Sequence, residues 1–120
     1  MKQQTIFRLE RLKDVAFLHV MGDVDVSNAT EFEHALNEAA NADDRPLVVV
    51  SMLETLYVDT TALGVLVAAS RAYGDRMRII TPEESTVRRI LTMTGLNRTL
   101  RLHEDFTSAL SASDLHQAAT

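Results

Sequence analysis

The chain contains no cysteine, so it has no disulfide framework, no zinc–thiolate site and no cysteine nucleophile. Its four glycines stand apart, at Gly22, Gly64, Gly74 and Gly95, and no glycine-rich phosphate loop is present. No G-x-S-x-G nucleophile elbow occurs. No apolar run approaches the ~20 residues of a membrane span. The N-terminus, Met1-Lys2-Gln3-Gln4-Thr5, has no signal-peptide core before the first alternating segment. The expectation is a cytoplasmic chain with no membrane insertion. A basic excess is missing too: the formal net charge is -5, which argues against direct nucleic-acid binding. Arg88-Arg89 and the Arg98 to Arg101 stretch are small basic spots, read as solvated helix and turn positions.

What is present fits one globular domain. The 120 residues suffice for one domain and are too few for two ordinary ones. Apolar residues make up 46% of the chain, which excludes general disorder.

Periodicity sets the elements. Residues 6–9 alternate apolar and charged, as a half-exposed strand does. Residues 15–21 are nearly all apolar and read as a more buried strand, joined to the first by the short spacer 10–14 in an antiparallel hairpin. Ser27 or Asn28 opens a helix; Asn28 and Glu31 have capping-box spacing, and Phe32, Ala35, Leu36, Ala39 and Ala40 share a face. Leu47-Val48-Val49-Val50 is apolar on both faces, the pattern of a central strand. A buried helix starts near Thr60 and ends at Tyr73-Gly74, with Gly74 as its C-terminal cap. Gly64 inside it costs up to ~1 kcal/mol relative to Ala, which suggests close approach of a neighbouring backbone. A strand over 77–80, a helix over 85–93 stopped by Gly95, a strand over 99–102 and a last helix capped by Asp105 complete the pattern. The fold class is α/β: a mixed four- to five-stranded sheet with helices packed on it, ordered β-β-α-β-α-β-α-β-α. The domain covers residues 5–110, and 111–120 form a helix end or frayed tail.

The chemistry narrows to two turns. Asp23 and Asp25 follow a strand two residues apart; a polar turn and an acidic rim at a binding surface both remain open, and a metal site lacks a third ligand nearby in sequence. His19, His34, His103 and His116 show no ligand spacing, and His19 reads as a packed or half-exposed strand residue. No cofactor is expected, and no second catalytic group can be named, so the chain is not expected to be an enzyme. A receiver domain does not fit, because two adjacent strands come first and the late strand ends lack lysine. What remains is Val58-Asp59-Thr60-Thr61-Ala62-Leu63-Gly64-Val65, which places two hydroxyls at a helix N-terminus. Such a hydroxyl is either a cap or a place where phosphate is added and removed.

These segments resemble a known family. Gly22-Asp23-Val24-Asp25 with Ser27-Asn28-Ala29 is similar to a turn and helix start of STAS domains. Leu47 to Val50 and Tyr57 to Leu66 resemble their central strand and following helix start. Val87 to Leu91, Thr94-Gly95-Leu96, Leu100 and the Asp105 to Leu110 segment resemble the C-terminal half of bacterial anti-sigma factor antagonists. The likeness runs from about Thr5 to Leu110, and its specificity lies in the order of the pieces.

The resemblance implies a mechanism. Thr60, the hydroxyl residue after Asp59, is the implied phosphoacceptor. Asp23, Asp25, Ser27, Asn28, Asp59, Thr61, Ala62 and Leu63 are the implied partner-binding residues, Leu63 as a partner-facing or supporting apolar side chain. The implied partners are an anti-sigma factor with serine/threonine kinase activity and a phosphatase. The unphosphorylated form binds the anti-sigma factor and frees the sigma factor, and phosphorylation ends that binding. An alternative implied role is a STAS subunit or adaptor of a transporter complex, such as a lipid-transport ABC system, binding constitutively. Three positions depart from the family pattern: Thr60 where serine is commoner, Ala62 in place of glycine, and Ser51 where the central strand usually ends in aspartate.

Overall fold

The alternating N-terminal segment forms a full hairpin in the structure, a computed structural model that describes residues 4–111. Strands β1 (Ile6–Leu12) and β2 (Val15–Met21) pair antiparallel from Ile6↔Met21 to Leu12↔Val15. The first strand thus runs three residues past the expected one, and the spacer shrinks to Lys13-Asp14. Lys13 makes the tight reversal possible by adopting φ +52°. Alternation persists because Phe7 and Leu9 pack on the core while Ile6, Arg8 and Glu10 point the other way.

The remaining strands join in sequence order. β3 (Leu47–Glu54) pairs parallel with β2, β4 (Met77–Ile80) with β3, and β5 (Leu102–His103) with β4, giving one five-stranded sheet. β3 extends to Glu54, so Ser51 lies within the strand and not at its end. Val48, Val49 and Val50 are all buried, as a central strand with both faces covered requires.

Three helices connect the parallel strands: α1 (Ala29–Ala40), α2 (Thr60–Tyr73) and α3 (Thr86–Met93). All three pack on the sheet face formed by Ala16, Leu18, Val20, Val48, Val50 and Met52. Right-handed crossovers that always advance in one direction fall on one side of a sheet, which explains the shared face. Phe32 and Leu36 of α1, Leu66 of α2 and Leu91 of α3 fill the space between the layers. The opposite face carries a second cluster, Phe17, Val49, Ile80 and Ala109, with Phe106 and Leu110 against it. Those last residues belong to helical turns at 106–111, opened by Asp105, whose carboxylate accepts the Ser108 N–H at 2.8 Å.

Two expectations shift by local chemistry. Gly95, at φ +79°, ends α3 and starts a 3-10 turn (Leu96–Arg98), which draws Leu100 into the core and delays β5 to Leu102–His103. Gly64 has no close neighbour: a Cβ there would meet nothing within 4 Å among the described residues. The expected backbone contact is absent because Gly64 lies on the exposed side of α2. The start of α2 is accordingly buried on one side only. The tail expected over 111–120 lies outside the described residues beyond Ser111.

Candidate functional site

Two loops meet at the end of the sheet. The segment after β2 and the segment after β3 are tied by an isolated parallel bridge between Val24 and Val58. Val24 N donates to Tyr57 O at 3.1 Å, and Asp59 N donates to Val24 O at 3.2 Å. Gly22 starts the first loop at φ +129°, where an added Cβ would lie 2.6 Å from Thr5 Oγ1. That close approach lets Thr5 Oγ1 donate to the Asp23 carbonyl at 2.6 Å. Both loops sit beyond strand C-termini, where open α/β sheets expose their binding crevices.

Each expected acidic residue has a defined structural task. Asp23 Oδ1 accepts the N–H groups of Leu56 and Tyr57 at 3.1 and 3.0 Å, holding the second loop. Asp59 is the N-cap of α2: its Oδ1 accepts Ala62 N at 3.0 Å. Its Oδ2 accepts Val26 N at 3.0 Å, so the same carboxylate also fixes the first loop. Asp25 Oδ1 accepts both Ser27 N and Ser27 Oγ. Asn28 does not form the expected capping box. Its Oδ1 accepts Asp25 N at 2.9 Å and its Nδ2 donates to Asp23 O at 3.0 Å, so the side chain bonds back to the loop and not to the helix start.

The cap leaves Thr60 open. Thr60 is the first residue of α2, is exposed, and its hydroxyl makes no hydrogen bond among the described residues. Thr61 is exposed beside it. The backbone N–H groups of Thr60 and Thr61 also lack partners among the described residues, so the helix start offers free donors beside the hydroxyl. Ala62 and Leu63 behave differently. Ala62 is 0% exposed and Leu63 is buried in the main core, so neither forms part of the surface. Ala62 lies on the inward side of the helix turn, which places its methyl among core side chains and not toward a partner. Ser51 is likewise buried.

The structure therefore gathers Asp23, Asp25, Ser27, Asn28, Asp59, Thr60 and Thr61 at one end of the domain, with Ala62 and Leu63 beneath them. It adds three residues that do not stand out in sequence. Val26 is 74% exposed, Leu56 73% and Tyr57 51%. They flank Asp23 and Asp59, whose hydrogen bonds reach their backbone N–H groups. Apolar side chains held outward by their own backbone bonds form a rigid, partly apolar rim. The available signal was their place: apolar residues inside two short loops that join no helical or strand period. Beside the rim, a recess of about 290 Å³ is lined by Thr5, Asp23, Asp25, Ser27, Asn28 and Glu31, among others. Among the described residues no cluster of three histidine, aspartate or glutamate side chains is arranged to hold a metal ion. No described helix is long and apolar enough to cross a membrane.

Comparison with known proteins agrees with this architecture. The family profile described as STAS domain matches residues 7–109. A curated relative, the anti-sigma-F factor antagonist RsfB of Mycobacterium tuberculosis, is 28% identical over 98 residues, spanning 81% of this chain and 80% of that protein. The crystal structure of an anti-sigma factor antagonist from Mycobacterium paratuberculosis superposes with a TM-score of 0.80 at 22% identity, over 93% of this chain and 97% of that one. The Bacillus cell fate determinant SpoIIAA, in its phosphorylated form, superposes with a TM-score of 0.62 at 13% identity, over 90% and 99% of the two chains.

Proposed function

The chain belongs to the STAS domain family, and on that premise we propose that it is an anti-sigma factor antagonist switched by phosphorylation of Thr60. In this reading it docks on an anti-sigma factor with serine/threonine kinase activity and so releases a sigma factor. Phosphate on Thr60 ends the interaction, and a phosphatase restores it. The relative named above as an anti-sigma-F factor antagonist supports the assignment. The observation that carries it is the Thr60 hydroxyl: exposed, without a hydrogen-bond partner among the described residues, and next to a cap already supplied by Asp59. A hydroxyl that the fold uses for nothing else is open to a kinase.

The physics suits a switch at the surface. A phosphothreonine adds about -1.5 to -2 charges at neutral pH. At the first turn of α2 the free N–H groups and the helix dipole accommodate that charge, so the fold persists. The change falls on the docking surface, composed in this reading of Asp23, Asp25, Ser27, Asn28, Asp59 and Thr61 with the apolar rim of Val26, Leu56 and Tyr57. Ala62 and Leu63 support it from below. Phosphate at its centre places charge where the partner must seat, beside three carboxylates. A loss of ~3 kcal/mol there weakens binding more than a hundredfold.

The test has two steps. A pull-down from the native cell extract, followed by ATP and phosphosite mapping, should give an ATPase partner and phosphate on Thr60. Direct titration should then show the unphosphorylated chain binding that partner and the phosphorylated chain failing to bind. Phosphorylated protein that binds unchanged would overturn the switch. Recovery of permease components without the ATPase kinase would favour the transporter-adaptor reading.

A further inference from the structure

The arginines that read as scattered basic spots converge around the short strand β5. Arg78, the second residue of β4, is only 5% exposed. Its Nε donates to the Asp75 carbonyl at 3.0 Å, and no carboxylate lies in ion-pair range of it among the described residues. Arg88 of α3 donates from Nε to Thr81 Oγ1 at 2.8 Å and from Nη2 to Thr81 O at 2.7 Å, again with no carboxylate. Arg98 is exposed and its side chain makes no hydrogen bond among the described residues. Arg101 alone has an acidic partner, Asp75. These residues and His103 line one cavity of about 880 Å³.

The charge balance there is unusual for this chain. Four guanidinium groups face one carboxylate in a protein whose formal net charge is -5. The imidazole of His103 records the field: burial, then Arg78, Arg88 and Arg101, hold its pKa below the ordinary value against the pull of Asp105. Burial and the neighbouring Arg101 likewise lower the pKa of Arg78, against the pull of Asp75. The guanidiniums of Arg78 and Arg88 are therefore anchored by neutral oxygens, with no carboxylate of the described chain in ion-pair range of either. Anchoring of this kind fixes side-chain direction before any ligand arrives.

From this convergence we propose that the cavity around β5 is a binding site for a small oligophosphate anion, recognised through its phosphate groups. Planar guanidinium forks match phosphate oxygens in pairs. Four guanidiniums exceed what a single phosphate needs for paired contacts and suit a chain of linked phosphates. The volume falls within the usual range of small-molecule sites. No phenylalanine, tyrosine or tryptophan lines the cavity among the described residues and the one ring there is the His103 imidazole, so recognition rests chiefly on charge. The site is made of β4, α3 and the 97–103 segment, separate from the Thr60 turn.

Tripolyphosphate, pyrophosphate and ATP should be titrated separately into the isotopically labelled chain at constant ionic strength, with sulfate as the control, and followed by NMR. Saturable shifts are expected at Arg78, Arg88 and residues 98–103 with tripolyphosphate, and weak, non-saturating ones with sulfate. ATP binding more tightly than tripolyphosphate would identify a nucleotide; equal affinity would identify a free oligophosphate. Arg78→Gln should weaken binding about tenfold or more, and Asp75→Asn should strengthen it. Arg98→Gln, which touches no internal hydrogen bond, keeps the test valid if Arg78→Gln does not fold. The proposal fails if no probe saturates by about 10 mM, if Arg98→Gln and Arg78→Gln both bind like the parent, or if sulfate binds as tightly as tripolyphosphate.

Discussion

Asp59 and Val26, 33 residues apart, are joined by a hydrogen bond of 3.0 Å from the Val26 N–H to Asp59 Oδ2, while the other carboxylate oxygen caps α2. One side chain thus sets both the helix start and the loop that faces it. Asp59→Asn keeps one acceptor for Ala62 N but turns an amide donor toward the Val26 N–H. The substitution should lower stability by about 1–2 kcal/mol, measured by urea unfolding. Asp59→Ala should cost more than Asp59→Asn, since it removes both acceptors.

Gly22 should tolerate no side chain. Its φ of +129° is costly for any L-residue, and an added Cβ would sit 2.6 Å from Thr5 Oγ1 and 3.0 Å from Thr5 Cα. Gly22→Ala should destabilise by about 1–3 kcal/mol. Thr5→Ala in the same chain should not rescue it, because the backbone contact and the φ penalty remain. Thermal unfolding of the single and double variants checks both points.

Gly64 predicts the opposite sign. It lies in a helix, exposed, with open space around it. Gly64→Ala should stabilise the free chain by about 0.5–1 kcal/mol, visible as a raised Tm. If the exposed side of α2 next to Thr61 meets the partner, the same variant should bind the anti-sigma factor more weakly. The pairing of higher Tm with lower affinity separates a contact role from a folding one.

His103 ties stability to pH. Burial and the charges of Arg78, Arg88 and Arg101, partly offset by Asp105, lower its pKa from 6.5. Above that value neither state binds the proton, and the group contributes equally to both. Below it the unfolded chain takes up a proton that the folded chain resists, so stability falls as pH drops from about 6.5 toward the lowered folded value. His103→Gln should flatten this part of the profile in urea titrations between about pH 5 and 7.

Much of the fold is legible in local pattern, and the rest depends on contacts that no window contains. Leu47 to Val50 is the best candidate for a central strand, since apolar, mostly β-branched residues fill both faces. Gly74 and Gly95 mark helix ends because a left-handed backbone is nearly theirs alone. The turn around Thr60 was legible as a helix start, and Asp59 as its cap. The exposure of Val26, Leu56 and Tyr57 was not, because it follows from hydrogen bonds to Asp59 and Asp23 across the two loops. Asn28 fits a capping box by spacing, yet its side chain bonds backward to Asp25 and Asp23. Arg88 and Arg101 read as unrelated basic spots in sequence; parallel pairing of β4 with β5 brings Arg101 beside Arg78, and hydrogen bonds to Thr81 hold Arg88 near them. The burial of Ala62 was also hidden, since the apolar run after Thr61 gives no phase for a helix that is covered on one side only.

Each strand of the sheet pairs only with its neighbours in sequence. A chain leaving the ribosome therefore never waits for a distant C-terminal partner before it can pair the strand it has just released. The β1–β2 hairpin offers a template, and β3, β4 and β5 add to its edge in the order of synthesis, each with the helix that precedes it. Each parallel pairing, such as Val15↔Leu47, Val48↔Met77 and Ile79↔Leu102, closes a single crossover and never the length of the chain. The last strand added is two residues long, so growth of the sheet stops on an edge too short to recruit another molecule.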